Sequence, residues 1–325
     1  MSSRRRVTVT LVAAIAAGVW AVATPGRAQV SRPPLVLEPL GVKGEAIFPA
    51  FEGWGPDKTG ENLLILLGYY NRNKSQELVI PVGPDNRIEP DGPDYGQPTY
   101  FYPGRQHGIF AIKVPKDFGN KRLTWTLTAN GQTSTVSFWL NPPYWIDFFH
   151  HSANGNQPPI VRVARNGTTM SGPPVGIAQT LSGTVGKPIP LSLWTSDAPT
   201  LKEGAEAELR ARTANTKPNP ASVAIVGDQV IGGAATGAGA NSKQPPDVTV
   251  NWRKHRGPGD VTFAQSQIPL VTKGDAKVVL EAATTATFHA PGEYVLRAQI
   301  NDDSGDGGGG EQCCWTTVHV RVNVK

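Results

Sequence analysis

The cleanest alternation of apolar and polar positions lies at Trp315–Val324. Val318, Val320, Val322 and Val324 fall on one face there, and His319, Arg321 and Asn323 on the other. That is the period of a half-buried β-strand. The same pattern marks Gly108–Val114, Ile189–Trp194, Val248–Lys254, Ala286–His289 and Tyr294–Ile300. Leu63–Tyr70 differs, being a nearly continuous apolar run bounded by Gly60 and Asn71. Its shortness and its turn-forming flanks predict a central strand buried on both sides. Leu123–Thr128 and Thr133–Leu140 flank Asn130-Gly131. Both residues of that pair tolerate positive φ, so the segment predicts a hairpin. Shorter strands are expected at Ile47–Phe51, Glu77–Pro81 and Val261–Phe263, and a long irregular loop from Pro81 to Pro98, followed by Thr99-Tyr100-Phe101-Tyr102.

About seven short strands in the first hundred or so residues after position 44 suggest a small β-sandwich. The chain then divides into an extended lead-in at 29–44, an N-terminal sandwich at 45–141, a seam at 142–159 and a C-terminal sandwich at 160–325. The seam is bounded by Pro142-Pro143 and Pro158-Pro159 and holds Tyr144, Trp145, Phe148, Phe149, His150 and His151. That many aromatics call for burial, most simply between the two domains. Residues 197–246 lose most of the strand pattern and are expected to form a flexible insertion, with one short helix at Leu201–Arg212 and a mobile Gly/Ala stretch at Gly227–Gly239.

A family resemblance follows from the order of short motifs. Val248-Thr249-Val250-Asn251-Trp252, Gly257-Pro258-Gly259, Val261-Thr262-Phe263, Ala286-Thr287-Phe288, Pro291-Gly292-Glu293-Tyr294-Val295-Leu296 and Asn301-Asp302 succeed one another. The region 186–325 thereby resembles the PKD-type immunoglobulin-like domain, whereas the N-terminal domain looks generically immunoglobulin-like. The expected fold is all-β, with two immunoglobulin-like β-sandwich domains in tandem after a signal peptide. The resemblance implies a module of exported surface proteins and secreted enzymes, and it brings no catalytic residues. The residues themselves make Trp252 the filler between the sheets and Tyr294 a corner tyrosine reaching back to backbone; both are structural.

Composition adds an address. Glycine (36) and proline (29) make up one residue in five of the 325, which suits many short strands joined by turns. Arg4, Arg5 and Arg6 precede an apolar run from Val7 to Ala23, and Gly26-Arg27-Ala28 supplies the small residues of a cleavage site. Residues 1–28 are therefore read as a signal peptide, with no stable membrane span after cleavage. The leader also carries much of the charge. The whole chain has 31 basic and 26 acidic residues, a net +5; without the leader's four arginines, 27 stand against 26. No basic face is implied, and nucleic acid is excluded as a partner.

Candidate chemistry is sparse. Cys313 and Cys314 are the two cysteines of the chain and are adjacent. Their Cα atoms lie about 3.8 Å apart, closer than the roughly 4.4–6.8 Å of ordinary disulfides. Three readings stand: a strained vicinal disulfide open to redox exchange, free thiols, or a bond to another molecule or a metal. Asp302-x-Ser304-x-Asp306-Gly307 echoes the start of a calcium loop, but Cys313 occupies the twelfth position, where an acid is needed. A solvated turn competes with calcium held by Asp302, Asp303 and Asp306. His150 and His151 with Asp147 are a weaker metal candidate. The remaining histidines (107, 255, 289 and 319) pair with nothing in sequence. Tyr95, Tyr100, Phe101 and Tyr102 either stack on sugars or cover the sandwich edge. No nucleophile elbow, zinc-protease or phosphate-loop motif appears. These features predict a secreted or periplasmic protein, or one associated with the cell surface. It binds or scaffolds without catalysis and without a resident cofactor, and its partner is a protein or a glycan. The alternatives are a carbohydrate-binding accessory protein and a redox or metal-handling protein centred on Cys313 and Cys314.

Overall fold

In the computed structural model, residues 40–150, 156–197, 248–271, 279–302 and 315–325 are described in full, and 224–226 and 229–231 as backbone. The N-terminal half holds β1 (Ile47–Pro56), β2 (Asn62–Asn71), β3 (Leu78–Val79), β4 (Asn86–Glu89), β5 (Tyr100–Phe101), β6 (Gly104–Pro115), β7 (Leu123–Ala129) and β8 (Gln132–Phe138). A sheet ordered β1-β2-β6 faces one ordered β4-β7-β8, with the short pair β3-β5 beside them. The core between them includes Ile65, Leu67, Tyr69, Ile88, Phe110, Trp125, Leu127 and Phe138. The apolar run at 63–70 is indeed the central strand of its sheet: Ile65 and Leu67 enter this core, while Leu64 and Leu66 are buried on the opposite face. Asn130 (φ 52) and Gly131 (φ 74) make the hairpin turn between β7 and β8.

The C-terminal half comprises β9 (Ile160–Arg162), β10 (Ile177–Gly183), β11 (Ile189–Ser196), β12 (Ala224–Val226), β13 (Gln229–Ile231), β14 (Val248–Arg256), β15 (Val261–Phe263), β16 (Gln267–Leu270), β17 (Leu280–Phe288), β18 (Gly292–Asp302) and β19 (Trp315–Val324). A five-stranded sheet, β10-β19-β18-β14-β16, packs on a four-stranded one, β15-β17-β11-β9. Strands β18 and β19 pair antiparallel from Gly292↔Val324 to Asn301↔Trp315, whereas β10 joins the other side of β19 in parallel. The four valines of β19 are buried in the core beside Trp252, Phe288, Tyr294 and Leu296. Both halves belong to one compact unit.

Three expectations are corrected. The loop from Pro81 to Pro98 contains β4, whose Asn86 and Ile88 are buried while Glu89 is exposed. Its alternation spans only four residues between prolines and glycines, too short to stand out in sequence. The Gly/Ala stretch is not wholly without structure, because β12 pairs with β13 from Ala224↔Ile231 to Val226↔Gln229. Finally, the seam aromatics do not share one fate. Phe148 is 1% exposed, but Tyr144 and Trp145 are half exposed at 50% and 51%. Their backbone is used instead: Ile146 N–H donates to Trp54 O at 2.9 Å, so the chain covers the open edge of β1. The expected helix at 201–212, the leader and lead-in as far as residue 39, and most of the insertion lie outside the described residues.

Candidate functional site: a buried polar seam between the halves

The outward side chains of β18 and β19 alternate with the core valines and meet the start of β6. Arg297 donates to Gln106 Oε1 (3.0 Å), Gln299 Nε2 to His107 O (3.0 Å) and Thr317 Oγ1 to Gly108 O (3.3 Å). His319 Nε2 lies 3.0 Å from Ile109 O. An apolar cluster adjoins this row, formed by Leu64 and Leu66 of β2, Phe148 and Trp315. The approach needs a glycine at 108: φ is +55°, and a Cβ there would sit 2.5 Å from Trp315 Nε1.

The end of β14 makes a second row of contacts. Lys254 N–H donates to the Tyr102 hydroxyl (2.9 Å), Thr99 N–H to His255 O (3.0 Å) and Arg256 Nε to Gln97 O (2.6 Å). Arg256 also grips Asp94 with two bonds, of 2.9 and 2.7 Å, which hold that carboxyl below the usual carboxylate range. Arg253 stacks over the Tyr102 ring at 4.6 Å and Lys254 over Tyr100 at 3.9 Å. The aromatics at 100–102 are therefore occupied within the fold. Phe101 is fully buried, and Tyr102 N–H donates to the Tyr69 hydroxyl at 2.7 Å.

Charged and titratable groups meet where the rows converge. His255 and His319 stack with ring centroids 4.4 Å apart. His255 Nε2 is 2.8 Å from Gly96 O. Carbonyls only accept, so both rings carry their proton on Nε2. Burial holds both imidazoles neutral, and Arg297 and Arg256 reinforce this; His319 is lowered to about 4, and His255 well below its ordinary value. Glu52, with 1% of its side chain exposed, accepts from Arg105 (2.7 Å) and from Gly108 N–H (2.7 Å). Desolvation raises its pKa, opposed by Arg105 and the Gly108 hydrogen bond. Gly68 makes room for this carboxylate, since a Cβ there would lie 2.0 Å from Glu52 Oε1.

This arrangement ties the two halves together through polar contacts. Both imidazole Nε2 atoms are committed to carbonyls, and the buried carboxylate is held by two donors. None of these residues stood out in the sequence. Two of the four dispersed histidines come together across 64 positions of chain, which spacing does not reveal. The one legible signal was polar side chains alternating with valine in β19, which marked a second face without saying what covers it.

The residues singled out from sequence fall elsewhere. Trp252 is 1% exposed at the middle of β14. Tyr294 is fully buried near the start of β18; its hydroxyl donates to Ala290 O (2.8 Å) and accepts from Gly259 N–H (3.1 Å). Asp302 ends β18, 6% exposed, and accepts a hydrogen bond from Asn156 Nδ2. Asp303, Asp306, Cys313, Cys314 and His151 lie outside the described residues. His150 is exposed, and Asp147 accepts from Phe149 N–H at 2.9 Å. Among the described residues no group of three His, Cys, Asp or Glu side chains is placed to hold a metal ion.

An outer strand shared in parallel with the last, a tryptophan buried on β14 and a corner tyrosine on β18 define an immunoglobulin-like β-sandwich. No protein-family model matches the chain, and no curated protein matches it. Among solved structures it is similar to the D00-D0 domain of intimin, at 11% identity and TM-score 0.24, over 86% of this chain and 100% of that one. The D0-D1 domain of intimin matches at 9% and 0.23, over 86% and 97%. A protein of unknown function from Porphyromonas gingivalis W83 matches at 8% and 0.19, over 85% and 99%. These likenesses are too distant to add to what strand order and packing establish.

Proposed function

We propose that this chain is an exported, non-enzymatic binding or scaffolding protein of the periplasm or cell surface, built of two sandwich domains, the second of PKD type. The observation that carries this reading is the seam. Both buried histidines and the buried arginine are spent on joining the halves, and the buried acid is held by Arg105 and the Gly108 N–H within the N-terminal half, which suits a stiff carrier of surfaces and loops better than a reaction centre. Among the described residues, no helix is long and apolar enough to cross a membrane. The test is fractionation of producing cells with mass measurement of the N-terminus. A protein outside the cytoplasm that begins at Gln29 is expected; a cytoplasmic protein retaining its leader refutes export.

A carbohydrate-binding role is the second reading. The half-exposed Tyr144 and Trp145 favour it, since exposed rings stack on sugars; a silent glycan array removes it. The redox or metal reading, with Cys313, Cys314, Asp302, Asp303 and Asp306 and calcium as the ion, rests on sequence. Native mass spectrometry showing two free thiols and no bound ion eliminates it.

A further inference from the structure

No sheet runs across the seam. The sheets β1-β2-β6, β4-β7-β8 and β3-β5 lie wholly in the N-terminal half, and every other sheet lies wholly in the C-terminal half. Each half also closes a core of its own. The two are held together by the polar rows and by the small cluster of Leu64, Leu66, Phe148 and Trp315. His255 and His319 both belong to the C-terminal half, while the carbonyls that take their protons, Gly96 O and Ile109 O, belong to the N-terminal half. The burial of both rings therefore depends on the halves being together.

A further proton finds no answering charge there. Nδ1 of His255 is buried and has no hydrogen-bond partner, so a proton on it meets no acceptor. With ring centroids 4.4 Å apart, one imidazolium would stand against another. Arg256 of β14 and Arg297 of β18 add positive charge beside both. The other cations are engaged elsewhere: Arg253 and Lys254 on the rings of Tyr102 and Tyr100, and Arg321 of β19 at 3.5 Å from Glu293. The nearby acids are taken as well. Arg256 grips Asp94, and Arg105 holds Glu52, with His107 at 3.8 Å from that carboxylate. The hydroxyls of Tyr69, Tyr100 and Tyr102 stay neutral in acid. Glu52 alone works the other way, because burial makes it take a proton more readily, and one carboxyl offsets only part of what two imidazoles impose.

We propose that the seam is an acid-opened joint: when His255 and His319 take up protons the two halves part as folded bodies, each keeping its own core. Parting returns both rings to water, where an imidazole takes its proton near pH 6.5; in the closed seam His319 takes one only near pH 4 and His255 is held well below its ordinary value. The closed state is therefore favoured in full above pH 6.5, and its advantage is lost as pH falls toward 4. Uptake of two protons on opening raises the ratio of open to closed by up to about 100-fold per pH unit. This inference does not depend on the proposed function: a failed glycan array or a cytoplasmic location leaves it standing.

Small-angle X-ray scattering and residue-resolved hydrogen exchange of the purified full chain, from pH 7.5 to 4, test it. The radius of gyration should rise in acid. The amides of Thr99 and Lys254, which bond across the seam, should lose protection while those of β7 and β17 keep theirs. The double variant His255→Gln/His319→Gln keeps a donor for each carbonyl and cannot gain a charge, so it should stay closed at pH 4. Should that variant already be open at pH 7.5, the single variants decide: each should open less steeply, by about tenfold per pH unit. A wild-type radius unchanged down to pH 4, protection lost from β7 and β17 together with the seam, a double variant that opens at the same pH as the wild type, or single variants as steep as the wild type each overturns the inference.

Discussion

The two cores bury the same residue in opposite ways. Trp125, fully buried in the N-terminal half, donates its indole N–H to Asn86 Oδ1 at 3.0 Å. Asn86 in turn donates to Ile80 O (2.9 Å) and Pro98 O (2.7 Å), so one buried amide ties a strand to two loop segments. Trp252, at 1% exposure, has an indole N–H without a hydrogen-bond partner. The N-terminal tryptophan is pinned by a polar bond, and the C-terminal one is held by volume and burial alone. A pinned core has one permitted arrangement; a dry one tolerates substitutions that conserve its bulk.

Perturbations of decreasing size sharpen this contrast. Trp125→Ala and Trp252→Ala should each lower stability by about 3–5 kcal/mol, read from urea midpoints, because both leave a large cavity. With burial matched, Trp125→Ala should cost about 1 kcal/mol more, because it also leaves Asn86 Oδ1 unmet. Asn86→Ala should cost about 3 kcal/mol, since it orphans the Trp125 N–H and two carbonyls; a loss below about 1 kcal/mol breaks the idea of a pinned core. Acid acts on the seam between them. The unfolded chain protonates its histidines first as pH falls, so the stability conferred by neutral His319 is complete above pH 6.5 and is lost on the way to about pH 4. That drop corresponds to about 3 kcal/mol. His255 acts in the same direction, while Glu52, raised by burial, opposes it. His319→Gln keeps a donor for Ile109 O and should flatten the acid limb of a stability–pH curve. The smallest effect discriminates best: Trp125→Phe should cost about 2 kcal/mol, and Trp252→Phe about 1, since only the first leaves a buried acceptor unmet.

Much of the fold was legible, because alternation survives wherever one face is buried and the other is polar. Trp315–Val324 is the plainest case, and Asn130-Gly131 fixed its hairpin through positive φ. The losses have physical causes as well. Strand β10 alternates too weakly to notice, because its outer residues are half exposed and uncharged on either face. Strand β9 is three residues long. Tyr294 and Trp252 announced themselves through local motifs, whereas Glu52, His255, Arg297 and His319 acquire their roles only from each other, across distances no local pattern encodes. The seam aromatics misled for a related reason: composition indicates that a ring prefers cover, but Tyr144 and Trp145 sit where the bond from Ile146 N–H to Trp54 O holds their segment on the β1 edge.

The bonds across the seam join residues far apart in the chain, 191 positions for Arg297 and Gln106 and 210 for His319 and Ile109. Closing loops of that length is entropically slow, and high contact order retards folding. Each half therefore has time to assemble before the two dock. During that wait Leu64, Leu66 and Trp315 face water, and so do the paired imidazoles. A refolding experiment should show an early phase in which the dye ANS binds, followed by a later step that expels it, and the later step should lengthen in acid as His255 and His319 take up protons they must shed before docking buries them.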